Sequence, residues 1–214
     1  MAKTLMEVLC TDVDAARQKN LEGQRGVSRG ADGLLRDLLN LREQDINEVS
    51  IAHALSNICR FCGNTRRFYS VAEHSLLVER LVRRKTSDPK VHMRALTHDC
   101  SESFVGDVIS PVKDLIGRRW DEIEDRVHEA IRRHFGIDGD HQTSDIIVWD
   151  VDAEARRMEE RALFPGQKPL STDLPIRCYN PKKARRLFLR RLGKLKKQCE
   201  DLAEEERRQP LLPL

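Results

Sequence analysis

A histidine and an aspartate stand side by side at positions 98 and 99, inside a run, Ala95-Leu96-Thr97-His98-Asp99-Cys100-Ser101-Glu102, that otherwise reads as buried helix. Ala95, Leu96, Cys100, Phe104 and Val105 recur at helical spacing, which brings His98 and Asp99 near the inward face. A charged pair is costly there unless something binds it, and a divalent cation does so. Imidazole and carboxylate are good ligands for a borderline divalent metal, and helical neighbours about 100° apart can both reach an ion over that shoulder. The competing reading of a His-Asp pair taken alone is a hydrogen-bonded core pair, so the rest of the chain has to decide.

The apolar residues come in short amphipathic bursts rich in Leu, Ala, Arg and Glu, with 34% charged residues and 5% aromatics, which predicts an all-α fold. A chain of 214 residues supports one buried core with an appendage. Its 38 basic and 35 acidic residues give a net charge of +3, so no global field argues for nucleic acid or membrane as a partner. Six cysteines (Cys10, Cys59, Cys62, Cys100, Cys178, Cys199) form no disulfide framework, and no N-terminal h-region or long apolar run marks the chain for export or insertion. The expectation is a cytoplasmic protein with free thiols, in the host cytoplasm if the chain is viral. Cys59-Arg60-Phe61-Cys62 lacks the second Cys/His pair of a zinc knuckle and reads as incidental.

Residues 1–40 are polar and glycine-punctuated and read as an extension, with order expected from about Asp45. Ile46, Val49, Ala52, Leu55 and Ile58 mark one helical face, with His53 on the other side. The loop from Arg60 to Tyr69 holds three arginines and three aromatic rings, a composition that suits a phosphate and a base as well as a solvated loop. Ser70 and Glu73 read as a capping box that starts a helix at Val71 and puts His74 in its first turn. Asp88-Pro89 opens the central helix, expected to run to about Val105, where Gly106-Asp107 breaks it. Pro111 restarts a short helix with Lys113, and Trp120 to Phe135 forms another. After a polar turn through Gly139 and His141, a helix carries Asp150 and Asp152 up to Phe164-Pro165-Gly166. Asn180-Pro181 caps a last helix with an apolar stripe (Ala184, Phe188, Leu192, Leu195, Cys199, Leu202) and basic outer faces. The division expected is an extension (1–40), a helical domain (41–165), a proline-punctuated connection (166–179) and a C-terminal basic amphipathic helix and tail (180–214).

His74, His98, Asp99 and one aspartate near residue 150 thus come from separate helices, apart from the adjacent pair. Two imidazoles and two carboxylates make a site of low net charge with open positions for water and a substrate oxygen, which is the chemistry of metal-assisted hydrolysis. His, then His-Asp, then Asp resembles the HD-domain metal-dependent phosphohydrolases. Five further segments resemble their bacterial and phage branch, which includes the 5′-deoxynucleotidases and the viral dATP triphosphohydrolase. These are Ile51-Ala52-His53-Ala54-Leu55-Ser56, Arg60-Phe61-x-Gly63-x-Thr65, Phe68-Tyr69-Ser70-Val71-Ala72-Glu73-His74-Ser75, His98-Asp99-x-x-Glu102 and Gly106-Asp107-x-x-x-Pro111-x-Lys113.

The resemblance runs from about Asp45 to Pro165 and implies a single HD-domain helical bundle holding one divalent metal ion, Co, Mn, Zn or Mg. It implies His74, His98 and Asp99 as ligands, with the last ligand seven residues before a Glu-x-Arg-x-Leu-x-Pro segment. Glu159 to Pro165 fits that segment, which selects Asp152 over Asp150 and Asp145. It further implies that Glu102 works on the water or the leaving group, that Asp107 touches the deoxyribose, that Arg60 and Lys113 hold phosphate, and that Phe61 faces the base. Metal-bound water would attack the α-phosphorus of a deoxynucleotide, dATP foremost among triphosphates, releasing phosphate or triphosphate. The alternatives are hydrolysis of a cyclic or alarmone nucleotide, and a metal-holding regulatory protein that docks nucleic acid through residues 182–197. The partners expected are a nucleotide and a second copy of the chain, without membrane or nucleic acid.

Overall fold

Asn47 opens a helix by accepting a hydrogen bond from the Ser50 amide at 2.8 Å, and the same device recurs through this computed structural model, which describes residues 12–137 and 142–208. Ser70 accepts from the Glu73 amide at 3.2 Å, Asp88 from the Lys90 amide at 2.8 Å, and Asn180 from the Lys183 amide at 2.9 Å. Each cap satisfies a first-turn amide that no earlier carbonyl can reach. The elements are α1 (Asp12–Leu21), the antiparallel strands β1 (Val27–Arg29) and β2 (Leu35–Asp37), α2 (Glu48–Asn57), α3 (Val71–Val82), α4 (Pro89–Thr97), α5 (Glu102–Val105), α6 (Ser110–Ile116), α7 (Arg118–His134), α8 (Gln142–Leu163) and α9 (Pro181–Arg208). The protein is predominantly all-α, with one two-stranded sheet among the described residues.

Two apolar clusters share α3 and α4. One joins Leu77, Val78, Leu81 and Val82 of α3 and Val91 and Ala95 of α4 to Val148, Val151, Ala155 and Met158 of α8. The other joins Val71, Ala72, Met93 and Leu96 to residues of α2 and α7, and to Ala184, Phe188, Leu192 and Leu195 of α9. The stripe on α9 therefore packs on the chain's own domain. No helix among the described residues is long and apolar enough to cross a membrane, and Cys59, Cys62, Cys100, Cys178 and Cys199 are free. Cys10, the polar turn at Gly139 and His141, and residues 209–214 lie outside the described residues.

Four local expectations need correction. The central helix stops at Thr97, and the chain tightens into three-residue backbone bonds, Cys100 to Thr97 and Glu102 to Asp99, each 3.0 Å, before α5 begins. The His98 Nδ1–H donates to the Ala95 carbonyl at 2.9 Å within that turn. In α2 the inward face is Ile51, Ala52, Leu55 and Ser56, while Val49 is 57% exposed, because the helix starts at Glu48 and leaves Ile46 ahead of it. Ser70 does cap α3, but the Glu73 carboxylate does not complete a capping box. It accepts the backbone amides of Arg177 and Cys178 at 2.8 and 2.9 Å and of Tyr179 at 2.5 Å, pinning the connection that leads into α9.

Order also begins well before Asp45. α1 and the β1–β2 hairpin, in register Ser28 to Arg36, fold against the body. Arg17 donates to Asp45 at 3.0 Å and the buried Arg36 to the Asp45 carbonyl at 2.6 Å. Polar contacts of this kind leave no hydrophobic period in the sequence.

Candidate metal centre

His74 stands in the first turn of α3, His98 and Asp99 on the tight turn after α4, and Asp152 on α8 beside the fully buried Val151. Both apolar clusters hold α3 and α4, and α8 is joined to them through one, so core packing sets the distances among the four side chains. The ligand atoms of His74, His98 and Asp99 lie within 4.8 Å of one another, and this group could hold a metal ion. The two imidazole Nε2 atoms face each other at 3.2 Å, and the Asp99 carboxylate lies 3.3 Å from the first and 3.2 Å from the second.

Each ring is fixed from its other nitrogen. His74 Nδ1–H donates to Glu159 Oε1 at 2.6 Å, and His98 Nδ1–H to the Ala95 carbonyl. The tautomers are assigned from the partners, since a carboxylate and a carbonyl only accept. With Nδ1 protonated, both neutral Nε2 atoms present lone pairs, and lone pairs converging with carboxylates repel unless a cation lies among them. Asp152 adds to the same point. Its Oδ1 lies 3.0 Å from His74 Nε2 and 3.7 Å from His98 Nε2, is buried, and has no hydrogen-bond partner. An orphaned oxygen aimed at two imidazole nitrogens fits a fourth ligand, and two nitrogens with two oxygens suit a borderline divalent ion.

The carboxylates make the cluster a place that favours a cation, proton or metal ion. Burial and the nearby Arg60 guanidinium both oppose charge on His74, yet Glu159, Asp152 and Asp99 hold its pKa well above the ordinary value. Burial would push the Asp99 carboxyl up, but His98, His74 and Arg60 hold it well below the usual carboxylate range. Burial likewise opposes the depression at Asp152, which His74 and His98 impose. Glu102 goes the other way: burial, then Asp99 and Asp107, push its carboxyl up to about 10. Its Oε2 is buried without a partner. Burial, with Asp99 adding and Arg60 opposing, also raises Asp107.

A cleft of about 360 Å³ opens beside the cluster, and His98, Asp99, Glu102, Lys113 and Asp152 all line it. Lys113 is held by Glu124 at 2.6 Å. Arg60 reaches the cluster through its Nε, 3.3 Å from Glu159, and one terminal nitrogen, 3.3 Å from Asp99. Phe61 takes a left-handed backbone, φ 56°, and its ring meets Phe164 edge-on at 5.3 Å. The cleft lining includes neither Phe61 nor Asp107, which follows the left-handed Gly106.

Two participants escaped the sequence. Glu159, fully buried, takes His74 Nδ1, the Tyr69 hydroxyl at 2.9 Å and Arg60. Its signal was present: it lies seven residues after Asp152, two helical turns along the same face. His128, which lines the cleft and lies 3.2 Å from the Ser101 hydroxyl, left none, since it sits inside an ordinary amphipathic helix.

Fold and site together define an all-α protein with a two-histidine, two-carboxylate cluster at a cleft. No family model matches the chain. It is 41% identical over 120 residues to an uncharacterized protein of Rhodobacter capsulatus, RCAP_rcc00048, a match covering 53% of this chain and 60% of that protein. It is 34% identical over 101 residues to the uncharacterized protein YfdR of Escherichia coli, covering 47% of this chain and 52% of that one. The chain thus spans about half to three fifths of the length of these curated relatives.

Proposed function

We propose that this chain is a metal-dependent phosphohydrolase of the HD-domain kind that cleaves the 5′ phosphate ester of a deoxynucleotide. One observation carries the reading: the Nε2 atoms of His74 and His98 and the carboxylate of Asp99 converge on one point, and Glu102, whose buried Oε2 has no partner, lines the same cleft as His98 and Asp99. A divalent ion, Co, Mn, Zn or Mg, held by these residues and Asp152 supplies Lewis-acid polarisation of a phosphoryl oxygen and acidifies water.

The chain's own residues do the rest. Glu102 Oε2 holds or passes the proton exchanged with water or with the departing 5′ oxygen. Lys113 exchanges Glu124 for phosphate. Arg60 keeps Asp99 and Glu159 in place while its remaining N–H groups offset phosphate charge. Asp107, at the break after Gly106, accepts a hydrogen bond from the sugar 3′-hydroxyl, and an added 2′-hydroxyl meets a clash or an unpaired group. Phe61 contacts the base, with adenine first. A monophosphate yields deoxynucleoside and phosphate; a triphosphate yields deoxynucleoside and triphosphate.

The test is a turnover screen of each dNMP and dNTP against its ribo counterpart with Mn, Co, Zn and Mg, products identified, in wild type and Asp107→Ala. Metal-dependent release from a deoxynucleotide, faster than from the ribonucleotide and with that preference weakened in Asp107→Ala, is expected. No turnover with any metal would refute the activity, and equal ribo and deoxy rates would remove the role of Asp107.

A further inference from the structure

Near the end of α3 remote from His74, Arg80 and Arg83 join Arg190, Arg191 and Lys194 of α9 around a groove of about 280 Å³, walled on its apolar side by Leu76, Leu187 and Tyr179. Glu79 is the one carboxylate in that lining, and it is already engaged by Arg191 at 2.5 Å and Arg83 at 3.5 Å. Among the described residues, Arg80, Arg190 and Lys194 form no ion pair with any carboxylate. The groove therefore holds five cations against one anion. The buried Nε of Arg191 has no hydrogen-bond partner, so a donor inside a concave, strongly positive site is left unsatisfied. Dispersed surface arginines are ordinarily solvated and paired at random; these are gathered around a cavity with one carboxylate among them, and Arg80, Arg190 and Lys194 have none.

We infer that this groove binds the polyphosphate chain of a small phosphorylated anion, at a site separate from the metal centre. Guanidinium groups match phosphate oxygens in pairs, and several phosphates in a row are what five clustered cations can neutralise together. A nucleic-acid strand fits less well for two reasons. Beyond α3 the basic surface that continues through Arg84 loses charge, because Lys85 is taken by Asp150 at 2.8 Å, so the positive surface runs along α9 alone. The lining offers one ring, Tyr179, whose face is covered by the Lys183 ammonium at 4.4 Å, and strand binding asks for open rings on which bases stack.

The inference is independent of the proposed activity, since binding is measured without turnover. The full chain, with chelator present, is titrated calorimetrically at fixed ionic strength with inorganic tripolyphosphate and with ATP. Arg190→Glu with Lys194→Glu, both exposed positions, should weaken binding of either probe by about tenfold or more, because two attractive charges become repulsive. Lys168→Glu, an exposed position that lines neither the groove nor the cleft, should leave it unchanged. Arg80→Gln provides a second, charge-neutral variant, and unliganded melting temperatures check that all variants fold. Equal affinity for the two probes assigns recognition to the phosphate chain alone; tighter ATP binding adds the nucleoside; both support the site. No binding in wild type, groove variants unaffected, an equal loss in Lys168→Glu, or tighter binding of a single-stranded oligonucleotide that the groove variants abolish would overturn it.

Discussion

Glu159 shows how a single residue can decide whether two imidazoles act together. Its carboxylate accepts the hydrogen bond from the His74 Nδ1–H, is itself held by Tyr69 and Arg60, and so turns the His74 Nε2 lone pair toward His98 and Asp99. A carboxylate in that position raises the basicity of the imidazole and fixes its tautomer, and losing such a partner lowers metal affinity about 10- to 100-fold. Glu159→Gln should therefore weaken divalent-ion binding by that factor while keeping much of the side-chain shape, as read by competition with a metal-binding dye. Affinity equal to wild type would leave Glu159 a merely structural residue. Glu102 gives the contrasting case. It lines the cleft with one buried oxygen unpartnered and lies outside the His74–His98–Asp99 group, so Glu102→Ala should retain the ion and lose the proposed deoxynucleotide turnover.

At the scale of elements, α9 joins the core through four side chains, and Phe188 is the largest of them, with 0% exposure. Phe188→Ala removes a ring that nothing can replace and should cost about 3–5 kcal/mol in urea unfolding, with the His74–His98–Asp99 cluster untouched. A loss below about 1 kcal/mol would mean that α9 is not part of the cooperative unit. This helix was legible in the sequence because its cap, Asn180-Pro181, and its stripe are both local patterns, and so were the starts of α3 and α4. The stripe is used within the chain and so gives no argument for a second copy. The hairpin at Val27–Asp37 and the Glu73 carboxylate on the amides of residues 177–179 were not legible, because each depends on polar partners far apart in sequence. The cluster of His74, His98 and Asp99, which could hold a metal ion, was legible, since two histidines and an aspartate expected at inward positions need a chemical reason. Their orientation was not: it comes from Glu159 and the Ala95 carbonyl, and nothing in the sequence pattern singles out a carbonyl.

Across the whole molecule, Glu48 ties three helices together, bonding His134 of α7 at 3.3 Å and Lys196 of α9 at 2.7 Å from α2. The bond from His134, with Lys196 adding and burial opposing, lowers its carboxyl from 4.5 to about 2. A folded-state value below the unfolded one contributes stability that is fully present above about pH 4.5 and is lost as pH falls toward about 2. Glu48→Gln should thus be less stable than wild type at about pH 6, with the difference fading toward about pH 2; a difference independent of pH would contradict the ion-pair account. The packing of α3, α4 and α8 brings together His74, the His98–Asp99 turn and Asp152, and that convergence is the basis of the proposed chemistry. Its most direct test is the divalent-metal content of the purified protein after loading with Mn, Co or Zn, compared between wild type and Asp99→Ala. The predicted result is about one ion per wild-type chain and little or none in the variant. Full occupancy in Asp99→Ala, or none in the wild type, would contradict the assignment of the centre.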